Sequence, residues 1–375
     1  MLQVFWQFFK LGWISFGGPA AHIGYFQRHF VQKLGWIEQA HFASTLTLCQ
    51  FLPGPASSQL GFAIGFQRAG LPGALAAFVG FTLPSFVLML ALALAGQHYA
   101  SQPAALAIVT GLKLFALVVV ADAVLTMAGQ FCRQPLTRCL AVVTAATLWL
   151  FPQLAAQFIA LIAAGLIGAR WLVPQGSRPN TVIKPNWPFL LLFAGLLLLP
   201  LLALNGTAGL FADFYQAGSL VFGGGHVVLP LLQGLLANEL SQEVFLTGYA
   251  AAQAMPGPMF TLASFLGAQL VPTQPLMGAL IATFGVFLPG FLLLLALQNG
   301  WQALAGRPRM AGAVTGINAA VVGLLLAALY QPVFVSSVTA PPALAAAALG
   351  LLALRVFRFP LLVLIPAFML LGFWL

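Results

Sequence analysis

Apolar residues run along this chain in stretches of 18 or more, and polar residues gather in the short segments between them. Backbone inside a hydrocarbon core must hydrogen-bond to itself, so such runs are expected as helices, and the alternating polarity of a membrane β-barrel is absent. Reading from turn to turn places thirteen spans, at about 2–32, 42–68, 71–98, 103–131, 136–152, 154–172, 187–204, 210–238, 244–269, 274–303, 309–337, 341–356 and 360–375. One polar stretch interrupts them, 173–188, with Pro174, Pro179, Pro185, Pro188, Arg178 and Lys184. Together with the span after it, this stretch forms a connector, 173–206, between a first part, 1–172, and a second, 207–375. The expected fold is an all-α polytopic membrane protein with about thirteen transmembrane helices.

Composition sharpens that picture. Of 375 residues 61% are hydrophobic and 5% charged, against roughly 25% charged in a soluble domain. That excludes a water-soluble enzyme or a nucleic-acid-binding domain. The formal charge of +9 resides mostly in loops, where it reports topology. Arg68, Arg133 with Arg138, Arg170 to Lys184, Arg307 with Arg309, and Arg355 with Arg358 fall on every second side of the span count. The loops around Ser101, Pro152, Asn205, Pro272 and Ser337 carry no Lys or Arg. The N-terminus is therefore expected in the cytoplasm and the C-terminus outside, in a multi-pass protein of the cell membrane. Arg28 and Lys33 break the pattern, falling on the outer side. Lys10 inside the first run, with no small-residue cleavage site after it, marks a retained span rather than a signal peptide. Cys49, Cys132 and Cys139 have no ligand-like spacing and are odd in number, so neither a metal site nor a disulfide framework is expected.

Self-comparison reveals a repeat. Phe16-Gly17-Gly18 recurs as Phe222-Gly223-Gly224, a shift of 206, and Gln50 to Pro55 recurs as Gln253 to Pro258, a shift of 203. Pro84-Ser85-Phe86 recurs as Pro289-Gly290-Phe291, and Gly111 as Gly316, both shifted by 205. Equivalent loops carry opposite charge patterns, and an odd number of crossings separates equivalent helices. The halves are thus expected as inverted-topology repeats with broken helices in matching positions, the signature of secondary transporters.

The candidate chemistry lies at the breaks. Pro53 and Pro55 lack N–H groups and Gly54 permits a sharp turn, so a new half-helix should open with free donors beside Ser57 and Ser58. Such an end attracts anions. Pro256, Gly257 and Pro258 repeat the arrangement before Thr261, and Gln50 and Gln253 precede the two motifs. Gly17, Gly18 and Pro19 form another interruption, followed by His22, and Gly223, Gly224 and Gly225 form its counterpart, followed by His226. An ordinary proline kink or close packing through small residues is the structural alternative for each. Lys113 lies about 15 Å into the bilayer, where it should meet a partner or an anion, and Asn318 is its uncharged counterpart. Asp122 falls on the opposite face of the same helix, about 180° from Lys113, and is a candidate for proton coupling.

These residues resemble the long-chain members of the chromate ion transporter family: the Phe-Gly-Gly-Pro segment with His22, Gln-x-x-Pro-Gly-Pro twice, Phe222 to His226, and a two-half layout of about thirteen spans. The resemblance covers essentially the whole chain. It implies efflux of chromate, a sulfate-like tetrahedral dianion, across a bacterial inner membrane, giving chromate resistance, with the functional regions at Gly17, Gly18, Pro19 and His22, at Pro53, Gly54 and Pro55, and at their second-half matches. The expected partners are an oxyanion and the lipid bilayer, with no cofactor and no nucleic acid; a homodimer is compatible with the sequence. A passive anion channel shares the same donors, and another physiological anion fits the same site. A membrane enzyme would show acidic or histidine clusters at a membrane surface, which this chain lacks.

Overall fold

The computed structural model describes residues 1–16, 18–99, 102–173, 185–222, 225–236, 239–298 and 307–375. Sixteen helices make up nearly all of it. The first half of the chain contains α1 Leu2–Ile14, α2 Gly18–Phe26, α3 Gln39–Phe51, α4 Ala56–Tyr99, α5 Pro103–Phe131, α6 Pro135–Leu150 and α7 Leu154–Trp171. α8 Trp187–Leu197 connects it to the second, which contains α9 Gly206–Leu220, α10 Val228–Leu236, α11 Gln242–Ala254, α12 Leu262–Leu270, α13 Pro275–Leu297, α14 Pro308–Ala328, α15 Pro341–Arg355 and α16 Leu361–Leu371. A π-helical turn, Gln27–Lys33, extends α2, and another, Leu329–Phe334, extends α14. Proline opens α5, α6, α13, α14 and α15 in its favoured first-turn position.

The protein is an all-α polytopic membrane protein. Among the described residues, five helical segments are long and apolar enough to cross a bilayer: Ala56–Gly96, Pro103–Phe131, Leu154–Trp171, Pro275–Leu297 and Pro308–Ser337. Large apolar side chains such as Val142, Val143, Ile159 and Leu166 are exposed on the helix surfaces, as lipid contact requires.

Two segments expected as single crossings, 2–32 and 42–68, are instead hairpins. Phe8 of α1 stacks on Phe30, ring centroids 4.6 Å apart, and the Gln7 Oε1 lies 2.8 Å from His29 Nε2. A continuous helix would separate positions 8 and 30 by about 33 Å. In the same way Gln67, near the end of the first helical stretch of α4, donates through Nε2 to His41 Nε2 of α3 at 2.6 Å. The interruptions therefore reverse the chain. Ser15 leaves helical geometry at φ −87°, ψ 84° and Gly18 takes φ +74°; Leu52 is extended and Gly54 takes φ +113°. Such backbone turns fully around where a proline kink only tilts. α4 breaks again at Ala69 and Gly70, where the sequence places a turn.

The hairpins also correct the placement of Arg28 and Lys33. Gln27 bonds Gln39, Phe30 stacks on Trp36, and the Arg68 guanidinium lies 5.3 Å from the Trp36 ring centroid. The segment bearing Arg28 and Lys33 and the turn bearing Arg68 thus share one end of their unit, because the chain returns to it twice.

The helices form two compact units, each drawing on both halves of the chain: Met1–His98 with Ile183–Val228 and Ala251–Trp301, and Tyr99–Val182 with Leu229–Ala250 and Gln302–Leu375. Lipid supplies no hydrophobic drive for helix association, so close approach through small residues has to do so. In the first unit Gly12 lies against Phe81 O and Pro84, and Gly218 against Val286 O and Pro289; the shifts are 206 for the glycines and 205 for their partners. In the second unit Gly168 packs on Gly312, and Gly372 on Ala107, shifted by 204 and 205. A side chain at any of these glycines meets backbone, at a cost of about 1–3 kcal/mol.

Candidate functional site

Four interruptions converge in the first unit. Between α1 and α2, Ser15 O accepts a hydrogen bond from Gly257 N at 2.9 Å; between α3 and α4, Gly54 N donates to Val221 O at 2.7 Å. These two bonds are counterparts: Gly54 and Gly257 are 203 residues apart, Ser15 and Val221 are 206. Each Pro-Gly-Pro turn is thereby tied to the end of the first helix of the opposite half. A second reciprocal pair reinforces the first. A Cβ on Gly54 would lie 3.1 Å from Gly290 Cα, and one on Gly257 would lie 2.9 Å from Ser85 Oγ, Ser85 and Gly290 being 205 apart. Gly54 and Gly257 have φ of +113° and +92°, which glycine alone adopts without strain.

His22 is buried in this cluster, with Nε2 3.2 Å from Ser15 O and Nδ1 3.3 Å from Ser57 Oγ. A carbonyl cannot donate, so Nε2 carries the proton and Nδ1 accepts from the Ser57 hydroxyl, an assignment made from the hydrogen-bond network. Ser57, expected as a free donor, is therefore engaged with His22. Ser58 is the free one: its hydroxyl is buried without a partner among the described residues, as are those of Ser15 and Thr82 and the Gln59 Oε1. Pro53 is half-buried and Pro55 buried.

The second-half turns hold a different set. Gly225 is buried, and His226 Nδ1 lies 3.3 Å from Gln253 Nε2, which also contacts Met259 Sδ at 2.7 Å. Pro256 and Pro258 are buried, and Thr261 donates to Pro258 O at 2.8 Å. Gln50, the counterpart of Gln253, is exposed. Pro19 and Gly18 open α2 half-buried; Gly17, Gly223 and Gly224 lie outside the described residues.

Lys113, Asp122 and Asn318 belong to the second unit. Lys113, expected to meet a partner or an anion, pairs with Glu243 at 3.4 Å, and Asp122, the candidate for proton coupling, pairs with Arg355 at 3.6 Å. An anion reaching Lys113 would have to displace a carboxylate. Asn318 is buried with Oδ1 unpartnered.

Ser15, Gln59 and Thr82 are absent from the sequence-based candidates. Ser85 and Gly290 were marked only as anchors of the repeat, and that repeat is the one signal that points to them. Residues 15–22, 52–59, 221–228 and 255–261 include no Lys, Arg, Asp or Glu. What converges is thus a set of helix ends and neutral polar groups, a charge-free environment rich in donors. Such a set can hold an anion through N–H and O–H groups.

The profile of the chromate transporter family matches residues 2–169 and 208–373. The chain belongs to the chromate transporter family. Among its relatives, this family member is 30% identical over 345 residues to a probable chromate transport protein of Synechococcus elongatus, an alignment covering 86% of this chain and 81% of that protein. It is 28% identical over 360 residues to a chromate transport protein of Cupriavidus metallidurans, covering 92% and 85%. An uncharacterized transporter of Methanocaldococcus jannaschii is 26% identical over 336 residues, covering 87% and 83%. No solved structure matches this chromate transporter family chain significantly. Proteins of the family are transport proteins rather than enzymes.

Proposed function

We propose that this protein is a secondary transporter that exports chromate, or a sulfate-like oxyanion, across a bacterial inner membrane by alternating access and so confers chromate resistance. The observation that carries the reading is the reciprocal joining of the four turns, which bear at Ser15 and Ser58 buried hydroxyls with no hydrogen-bond partner among the described residues. An unmade hydrogen bond of this kind costs about 1–3 kcal/mol, and an oxyanion satisfies it. Ser58 and Ser15 with the amide end of α4 form the oxyanion site in this reading. Because these groups are buried, substrate reaches them only when the turns part, and two halves with reciprocal contacts give two symmetric ways of parting.

The paired contacts at shifts of 203–206 support an inverted repeat. The hairpins support it too. Each returns the chain to its starting side, so four crossings, α4 beyond Gly70 and then α5, α6 and α7, bring the first half back there, and α8 makes the total odd. With the second half built likewise, ten of the twelve Lys and Arg residues among the described residues fall on the N-terminal side, all but Lys10 and Lys113, and the positive-inside rule makes that side cytoplasmic. Single cysteines at Lys33 and Arg68 should then react only from the cytoplasm and one at Ser337 only from outside. Labelling of positions 33 and 68 from opposite sides would refute the hairpin topology.

Reconstituted proteoliposomes test the function. Chromate uptake should respond to an imposed pH gradient or to trans-loaded anion, as a coupled carrier requires. Flux indifferent to both, and faster than carrier turnover, would identify a passive channel instead.

A further inference from the structure

Gln59 is fully buried in the first turn of α4, and its partners fix which end of the amide faces where. Nε2 lies 2.9 Å from Pro53 O and 3.0 Å from Gly290 O. Both partners are backbone carbonyls with nothing to donate, so the nitrogen must face them and the amide admits no flip. Gly290 makes this possible: a Cβ there would lie 2.8 Å from Nε2. The Oε1 is left buried, and it accepts from no described residue. Its neighbours in sequence offer the opposite chemistry, since the Ser58 hydroxyl and the N–H groups at the start of α4 are donors.

The cluster therefore combines several donors with one obligate acceptor, without a formal charge. A fully deprotonated oxyanion can only accept; it satisfies the donors and is repelled by the Gln59 carbonyl. A singly protonated oxyanion offers oxygens to the donors and an O–H to Oε1. Charge points the same way, because the desolvation cost of an ion grows with the square of its charge, so a monoanion incurs about a quarter of a dianion's cost.

We infer that Gln59 selects the singly protonated form of a tetrahedral oxyanion, its Oε1 accepting the hydrogen bond of the substrate's O–H. This rests on the oxyanion reading of the joined turns and names the species that the site takes. Each substrate ion then carries its own proton across the membrane. The ionisable groups on the elements that meet here are Lys10 on α1, His22 and Tyr25 on α2, His41 and Cys49 on α3, Arg68, His98 and Tyr99 on α4, and Asp213 and Tyr215 on α9; α13 has none.

The test compares chromate, which gains its proton near neutral pH, with sulfate, which remains a dianion, in proteoliposomes from mildly acidic to mildly alkaline pH. Wild-type chromate flux should follow the singly protonated fraction, levelling off in mildly acidic solution and falling about tenfold per pH unit on the alkaline side, with sulfate, whose singly protonated fraction is minute throughout this range, at least about tenfold slower and without that plateau. Gln59→Lys retains N–H donors for Pro53 O and Gly290 O, removes the acceptor and adds a positive charge. It should raise alkaline chromate flux relative to acidic flux and admit sulfate. Chromate flux that holds or rises with pH overturns the inference, as does a sulfate profile with the same plateau and midpoint, which would assign the dependence to His22 or another protein group. If Gln59→Lys fails to fold, the wild-type comparison decides alone. Failure of the underlying reading looks different: chromate flux at every pH would then survive Ser58→Ala unchanged.

Discussion

Replacing Gly54 with leucine should abolish chromate transport while the protein still inserts and purifies, and Gly257→Leu should do the same. Two independent effects act at each site. A side chain at φ +113° or +92° is strained by about 1–2 kcal/mol. Its Cβ would also press on Gly290 Cα at 3.1 Å in one case and on Ser85 Oγ at 2.9 Å in the other. At Gly54 the pressed atom is backbone and cannot rotate aside, so the turn must withdraw, and with it the hydrogen bond from Gly54 N to Val221 O. Gly35 supplies the control. It too has positive φ, +57°, but a Cβ there meets nothing within 4 Å, so Gly35→Ala should retain transport. Full activity in Gly54→Leu would return the Pro-Gly-Pro turns to the status of simple chain reversals.

Ser58→Ala separates stability from function. The Ser58 hydroxyl is buried and unpartnered, so removing it takes away an unmet hydrogen bond, and thermal stability should hold or rise by about 1 kcal/mol. Chromate affinity should fall about 10-fold or more, because a hydrogen bond to a charged group contributes about 1.5–3 kcal/mol. The opposite pattern, lost stability with unchanged affinity, would make Ser58 a structural residue. A site held ready at the expense of stability is the usual pattern for functional polar groups.

The sequence exposes the helices because their apolar runs are long, and it exposes the interruptions because Pro and Gly have strong backbone meaning. Pro53 to Pro55 and Pro256 to Pro258 break helices where expected. The direction taken after each break is less legible. The same residues at 15–18 are compatible with a tilt or a reversal, and only contacts distant in sequence, Gln7 with His29 and His41 with Gln67, decide it. Arg28 and Lys33 carried a hint: they fit the loop-charge pattern only if the chain turns back before them. Lys113 illustrates another limit. Its depth in the helix was readable, but its partner Glu243, 130 residues later, sits near a helix start and reads by itself as solvated. Gln59 was invisible because its role depends on two carbonyls, Pro53 O and Gly290 O, one of them 231 residues away.

In the proposed mechanism the joined turns hold the oxyanion. Crystals of the protein soaked in chromate, with data collected at the chromium absorption edge, locate the anion directly through its anomalous signal. A peak is expected within hydrogen-bonding distance of Ser58 Oγ and the start of α4, lost in crystals of Ser58→Ala. A peak beside Lys113 alone, with none at the turns, would contradict it.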